Sequence, residues 1–163
     1  TIDKVFTHFS EPIAAASIAQ VHFAKIKNNG VETEVAVKIL RPQIEKIIEQ
    51  EMSRLEWLTS FMENFKEFER LRPNSIIKKA KEVIKFELDL RYEAAAASEL
   101  KENTQLDGSF YVPLVYWEKI TQRILTMEKI NGIPADKIEK LNENNYDIKK
   151  SAENLIVNFL KSS

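Results

Sequence analysis

The sequence predicts an α+β fold built on a mainly antiparallel sheet. Three observations predict it. An Asn-Gly turn signal, Asn28-Asn29-Gly30, separates two runs rich in β-branched and apolar residues. Apolar residues then recur at intervals of three and four over two long stretches. Two further short apolar runs, bounded by turn-forming residues, follow the helical region. Strands grouped ahead of and behind long helices, rather than alternating with them, distinguish α+β from α/β architectures.

Taken in order, residues 18–26 and 34–40 read as the two strands of a hairpin. In the second, a period of two puts Val35, Val37 and Ile39 on one face and Ala36, Lys38 and Leu40 on the other. Pro42, suited to a first helical position, opens a pattern that includes Ile44, Ile48, Met52, Leu55 and Phe61, and predicts a helix over about 42–66. Trp57, Phe61 and Phe65 lie at helical spacing on it and are expected to pack in the core or between helices. The alternative is an exposed apolar face toward a membrane or partner, although the mixed charges lack the Lys/Arg-rich face of a membrane-surface helix. After the break at Arg72-Pro73, with Asn74 or Ser75 as cap, one continuous helix is predicted over about 74–103. Residues 111–118 and 122–130 read as strands, Asn131-Gly132-Ile133-Pro134 as a sharp turn, 135–145 as a polar connection, and Asp147 as the cap of a last helix reaching about residue 160.

Composition bounds the function. The 163 residues suit one domain, or one domain and a small annex. Lys+Arg 24 against Asp+Glu 25 gives a net charge of −1, which argues against a nucleic-acid binder that neutralises phosphates. With Cys 0 there is no disulfide framework, zinc ribbon or thiol nucleophile. The two histidines, His8 and His22, are too few and too separated to favour a metal site; His22 reads as a hydrogen-bonded structural residue. No apolar run is long enough for a membrane span. Thr1 is no initiator Met, and the chain stops after the apolar pattern Ile156, Phe159, Leu160, as expected of a piece of something longer. Gly 3, where average usage gives roughly 11, weighs against a glycine-rich phosphate loop.

The strongest local motif is Val35-Ala36-Val37-Lys38, the form of the strand whose lysine meets nucleotide phosphates in protein kinases. An ammonium held between apolar neighbours needs a carboxylate or a phosphate, because burying it alone is costly. The helix carrying Glu87 supplies a carboxylate where a kinase-like fold places that lysine's partner. The bland reading is a lysine whose head reaches solvent. Upstream, where a kinase has glycines, stand Ala14, Ala15, Ala16 and Ser17, whose Cβ atoms disfavour positive φ and hold a phosphate further from the backbone.

Together, the run from Pro12 to His22, Val35 to Lys38 with Arg41-Pro42, Glu87-Leu88-Asp89 with Arg91-Tyr92-Glu93-Ala94, and Leu125-Thr126-Met127-Glu128 with Asn131-Gly132 resemble the UbiB-type atypical kinases. These are protein-kinase-like proteins of ubiquinone biosynthesis. The motifs occur in the family's order and span nearly the whole chain.

The resemblance implies a kinase-like N-lobe over 1–130, with the 42–66 helix as an insertion and the 74–103 helix as its regulatory helix. It also implies a hinge and first C-lobe helix over 131–163. By the same resemblance Ala14, Ala15, Ala16 and Ser17 form the Ala-rich loop that replaces the glycine loop. Lys38 is the phosphate lysine and Glu87 its helix partner. Asp89 completes an E-x-D motif and Glu93 follows it; the alternative for both carboxylates is solvation or pairing with Arg91 and nearby lysines. Met127 stands at the gatekeeper position, and the backbone of Glu128 to Ile130 is the adenine-binding hinge. The implied ligand is ATP or ADP with magnesium. The family's metal ligands, catalytic loop and K-x-G-Q motif have no counterpart in this sequence, so these residues alone are expected to be inactive. The intact protein is expected on the cytoplasmic face of a bacterial inner membrane, beside lipid quinone precursors and other biosynthetic proteins. Its membrane contact would come from segments outside this sequence. The rival reading is a non-catalytic pseudokinase scaffold that binds nucleotide or lipid precursor.

Overall fold

A computed structural model describes residues 5–28, 30–65, 70–104 and 111–161. Four antiparallel strands lie side by side in chain order: β1 (His8–Ala15), β2 (Ala19–Asn28), β3 (Val31–Leu40) and β4 (Ile124–Glu128). The expected hairpin is β2–β3, paired without interruption from Ala19↔Leu40 to Asn28↔Val31. Gly30 sits in its turn with φ +84°, the left-handed conformation that glycine adopts without a Cβ clash; Asn29 lies outside the described residues. β1 is an edge strand. It carries two register irregularities, one on each side of Pro12. An edge is where a residue without an N–H can sit in a sheet.

The alternation in β3 creates two cores, one on each side of the sheet. Val35 and Val37 are fully buried with Ala24 and Ile26, under Phe6 and Tyr116, with Ile39 packed against them. Leu40 and Leu125 face the other way, among Ile44, Leu88, Leu90 and Ala94 of the helices. Lys38 belongs to this second, helix-covered side.

Three helices follow β3: α1 (Ile44–Met62), α2 (Pro73–Glu87) and α3 (Leu90–Thr104). Pro42 does not open α1. The Ile44 N–H bonds the Arg41 carbonyl, and Gln43 takes φ +58°, so Pro42 and Gln43 form the middle of a tight turn in the manner of type II. Asn74 and Ser75 do not cap α2 either, because Pro73 already occupies its first turn behind a left-handed Arg72. Asn74 instead ties the two helices together. Its Oδ1 accepts from the Thr59 hydroxyl at 2.5 Å, and its amide donates to Glu63 at 2.6 Å. Trp57, Phe61 and Phe65 are exposed rather than core residues; the two phenylalanines meet edge to face, at 5.4 Å between ring centres.

The largest departure is the break at Leu88-Asp89, where one helix was expected. Asp89 caps α3: its carboxylate accepts from the N–H of Arg91, the second helical residue, at 3.1 Å, as the cap of a helix start does. The Leu90 N–H, orphaned at the start of the new helix, is taken by the Gln122 carbonyl at 2.9 Å. Neither glycine nor proline marks this break.

Residues 111–116 run beside β4 but form only one bridge, Val115↔Met127, before a 3₁₀ turn at Trp117–Lys119. Pro113 has no N–H to give, and the Leu114 N–H goes to a side chain, so the strand expected over 111–118 does not develop. The polar stretch 135–145 contains a short helix, α4 (Ile138–Glu143). The final helix, α5 (Ile148–Lys161), starts as expected, with the Asp147 carboxylate accepting from the Lys150 N–H at 2.9 Å.

Candidate functional site

Lys38 stands near the middle of the helix-covered face, paired in register with Val21 of β2 and Leu125 of β4. Its ammonium donates to Glu93 Oε2 at 2.6 Å. The partner is therefore Glu93 and not Glu87, and the break at Asp89 is the reason. Glu87 ends α2, exposed and with no ion pair among the described residues. Glu93 lies in the first turn of α3, whose start is fixed to the sheet through Gln122. A carboxylate in a first turn also faces the positive end of the helix dipole. The Lys38 side chain keeps 26% of its surface exposed and Glu93 44%, so the pair is reachable from solvent.

Asp89 shares the helix start but not the lysine. Arg91 reaches back to it in a fork, Nε to Oδ1 at 2.8 Å and Nη2 to Oδ2 at 2.6 Å. Those hydrogen bonds hold the Asp89 carboxyl below its ordinary 3.8. A depressed carboxylate stabilises the fold fully above its unfolded value and loses that contribution as the pH falls through its folded one. Asp89→Asn in the full-length protein should accordingly lower the urea midpoint at neutral pH, with the gap to the parent narrower in acid below the ordinary carboxyl value of 3.8. A gap unchanged between the two would mean that the Arg91 fork contributes nothing ionic.

The Ala-rich loop is the β1–β2 connection. Ala14 and Ala15 end β1, Ala16 and Ser17 form the turn, and all four are exposed. None of the four has positive φ, so this turn is one that alanine can form without strain. Its shape is held by the Ala16 N–H on the Ala19 carbonyl at 2.9 Å and by the Arg41 guanidinium on the Ala16 carbonyl. The turn lies at the end of the sheet where Ala19 pairs with Leu40, two residues along β3 from Lys38.

The stretch expected as the hinge leaves the end of β4 beside the middle of β3. Met127 pairs with Ala36, and Glu128 with Val35. The Glu128 N–H is already bonded to the Leu114 carbonyl at 2.8 Å. Its side chain accepts from the Tyr111 hydroxyl at 2.5 Å and the Leu114 N–H at 3.1 Å, which hold the carboxyl below its ordinary 4.5. Lys129 turns the other way, to Glu34 at 2.9 Å and over the Phe23 ring at 4.7 Å. Ile130 follows, half-exposed. His22 is structural, as expected, with Nδ1 at 2.9 Å from the Ser10 carbonyl and its ring against Phe9. Among the described residues no group of three or more His, Asp or Glu side chains could hold a metal ion.

The β3 lysine thus lies between a small-residue turn and a hinge strand, on the sheet face covered by the helix that supplies its glutamate. That is the architecture of the N-terminal lobe of a protein-kinase-like domain. Comparison with known proteins gives the family: residues 1–163 match the ABC1 atypical kinase-like domain, and the chain belongs to that family. It is 40% identical over 154 residues to the probable protein kinase UbiB of Pseudomonas paraeruginosa, covering 93% of this chain and 28% of that protein. The corresponding figures for the protein of the same name from Cellvibrio japonicus are 40% over 155 residues, 94% and 28%. For that of Aeromonas hydrophila they are 39% over 155 residues, 94% and 28%. The chain spans little more than a quarter of the length of these relatives.

Of the residues singled out in the sequence, the fold joins Lys38 directly to Glu93, with the Ala-rich turn at the Leu40 end of β3 and the Met127–Ile130 stretch leaving β4 beside the middle of β3. It does not bring Glu87 to Lys38, and it commits Asp89 to Arg91. Tyr111, Glu34 and Lys129, which brace the hinge, carry no sequence signal of their own; their pairings span 17 and 95 residues.

Proposed function

We propose that this lobe binds ADP or ATP with magnesium as part of an atypical kinase or ATPase that supports ubiquinone biosynthesis. The observation that carries the reading is the Lys38–Glu93 pair. An ammonium fixed on a rigid strand, yet a quarter exposed, is poised to meet phosphate oxygens while the carboxylate holds its direction. The base would lie toward Ala36 and Met127, at the 128–130 backbone groups that remain once the Glu128 N–H has bonded the Leu114 carbonyl and the Lys129 N–H the Glu34 carbonyl. The phosphates would lie toward Lys38 and the Ala14–Ser17 turn. Magnesium would take its protein ligands from the rest of the full-length chain, as would any phosphoryl acceptor. The relatives' designation as probable protein kinases supports the enzyme class. Work beside a membrane surface, on or near lipid quinone precursors and with other biosynthetic proteins, completes the proposal. No helix among the described residues is long and apolar enough to cross a membrane.

The test is thermal unfolding of the full-length protein with ADP or ATP and magnesium, for the parent and for Lys38→Ala. Ligand that binds only the folded state raises stability by about 2.7 kcal/mol at one hundred times Kd. The parent should shift upward and the variant should not. Equal shifts in both would remove Lys38 from the site.

One observation favours a second reading. Each residue of the 14–16 turn carries a Cβ, and the Ala16 carbonyl is tethered by Arg41, so the turn is less able to wrap closely over phosphates than a glycine loop. A non-catalytic scaffold would bind nucleotide under these conditions without releasing phosphate; phosphate release by the parent would exclude it.

A further inference from the structure

The hinge strand is braced by side chains on both sides, at the two residues just before the stretch left to face a base. On one side the Glu128 carboxylate takes the Tyr111 hydroxyl at 2.5 Å and the Leu114 N–H at 3.1 Å, while the Glu128 N–H bonds back to the Leu114 carbonyl at 2.8 Å. On the other, Lys129 pairs with Glu34 of β3 at 2.9 Å and lies over the Phe23 ring of β2 at 4.7 Å. Lys129 spends a rotamer-rich side chain on this, with 20% of it exposed. Tyr111 is 63% exposed, so its ring contributes little to either core, and the purpose of its hydroxyl has to be sought in the bond it makes.

A tyrosine hydroxyl on a part-buried carboxylate and an ion pair whose carboxylate is half-exposed converge on one dipeptide, and neither contributes much to stability alone. They fix direction instead. With Glu128 pulled toward residues 111–114 and Lys129 toward β3, the chain leaves β4 at a set angle, and the backbone groups of Ile130 are presented without a freedom that a ligand would have to freeze.

We infer that Tyr111–Glu128 and Glu34–Lys129 form a two-sided clamp that positions the hinge backbone for the base of the nucleotide, and so sets affinity for the base rather than for the phosphates. The inference rests on the nucleotide reading of Lys38 given above. Tyr111, Glu128, Glu34 and Lys129 are positioning residues; their side chains act through the backbone between them.

The clamp can be tested apart from the lysine by calorimetric titration of the full-length protein with magnesium ADP and, separately, magnesium pyrophosphate, which has the phosphates without the base. Tyr111→Phe and Glu34→Gln each remove one side of the clamp with little change in volume, and the double variant removes both. The double variant should bind ADP about tenfold more weakly and pyrophosphate as the parent does. A merely structural role would move both ligands together, or neither, and either result overturns the inference. So does a parent that binds ADP no better than pyrophosphate, which would leave Lys38 as a phosphate site without a base subsite. A parent that binds neither ligand removes the nucleotide reading and the clamp with it. Hydrogen exchange at residues 128–130 of the unliganded double variant, faster than in the parent, is the accompanying sign that the backbone has been released.

Discussion

Glu93→Ala is expected to weaken magnesium ADP binding to the full-length protein by about tenfold, while Glu87→Ala leaves it at the parent value. Two effects compete at Glu93. Removing a negative charge near the phosphates favours an anion. Removing the only ion-pair partner that Lys38 has among the described residues frees a four-carbon stem whose ordering the ligand must then supply. Both groups are partly exposed, so the charge effect is screened by water and salt, and loss of position outweighs it. The same affinity loss at Glu87 with none at Glu93 would mean that the working partner is not the one seen at 2.6 Å.

The second large effect is expected in the core. Leu125 is fully buried between the sheet and α3, and it pairs across the strands with Lys38. Leu125→Ala removes three carbons and leaves a cavity that a strand held on both sides cannot close, at a cost of about 2–5 kcal/mol. Urea unfolding of the full-length protein measures it. A cost near zero would mean that the second core is loosely packed and that α3 is not seated on the sheet as described.

How far these features were legible in the sequence depended on whether their causes were local. The β2–β3 hairpin was, because a turn glycine and a strict period of two fix both the turn and the faces. Lys38 was, because its motif is four consecutive residues on one strand. The division of the 74–103 helix was not: Asp89 ends it by capping its successor, and the cap holds because a carbonyl at residue 122 meets the N–H of Leu90. That contact spans 32 residues and leaves no mark in the helical periodicity, so the glutamate six residues too early looked like the partner. The 111–118 strand failed similarly. Its apolar content was right, but Pro113 could not donate, and the next N–H went to a glutamate on β4. The exposed aromatic residues of α1 show the converse limit, since helical spacing identifies a face without saying whether anything lies over it.

The two-residue turn Gln122-Arg123 holds both halves of the ion pair. The Gln122 carbonyl takes the N–H of Leu90, three residues before Glu93, and the Arg123 carbonyl takes the N–H of Leu40, two residues after Lys38 at 3.0 Å. The strand and the helix are thus suspended from adjacent links of one chain. One short turn therefore sets where the lysine's strand and the glutamate's helix stand relative to each other, and the 2.6 Å contact depends on the direction α3 takes from its cap at Asp89.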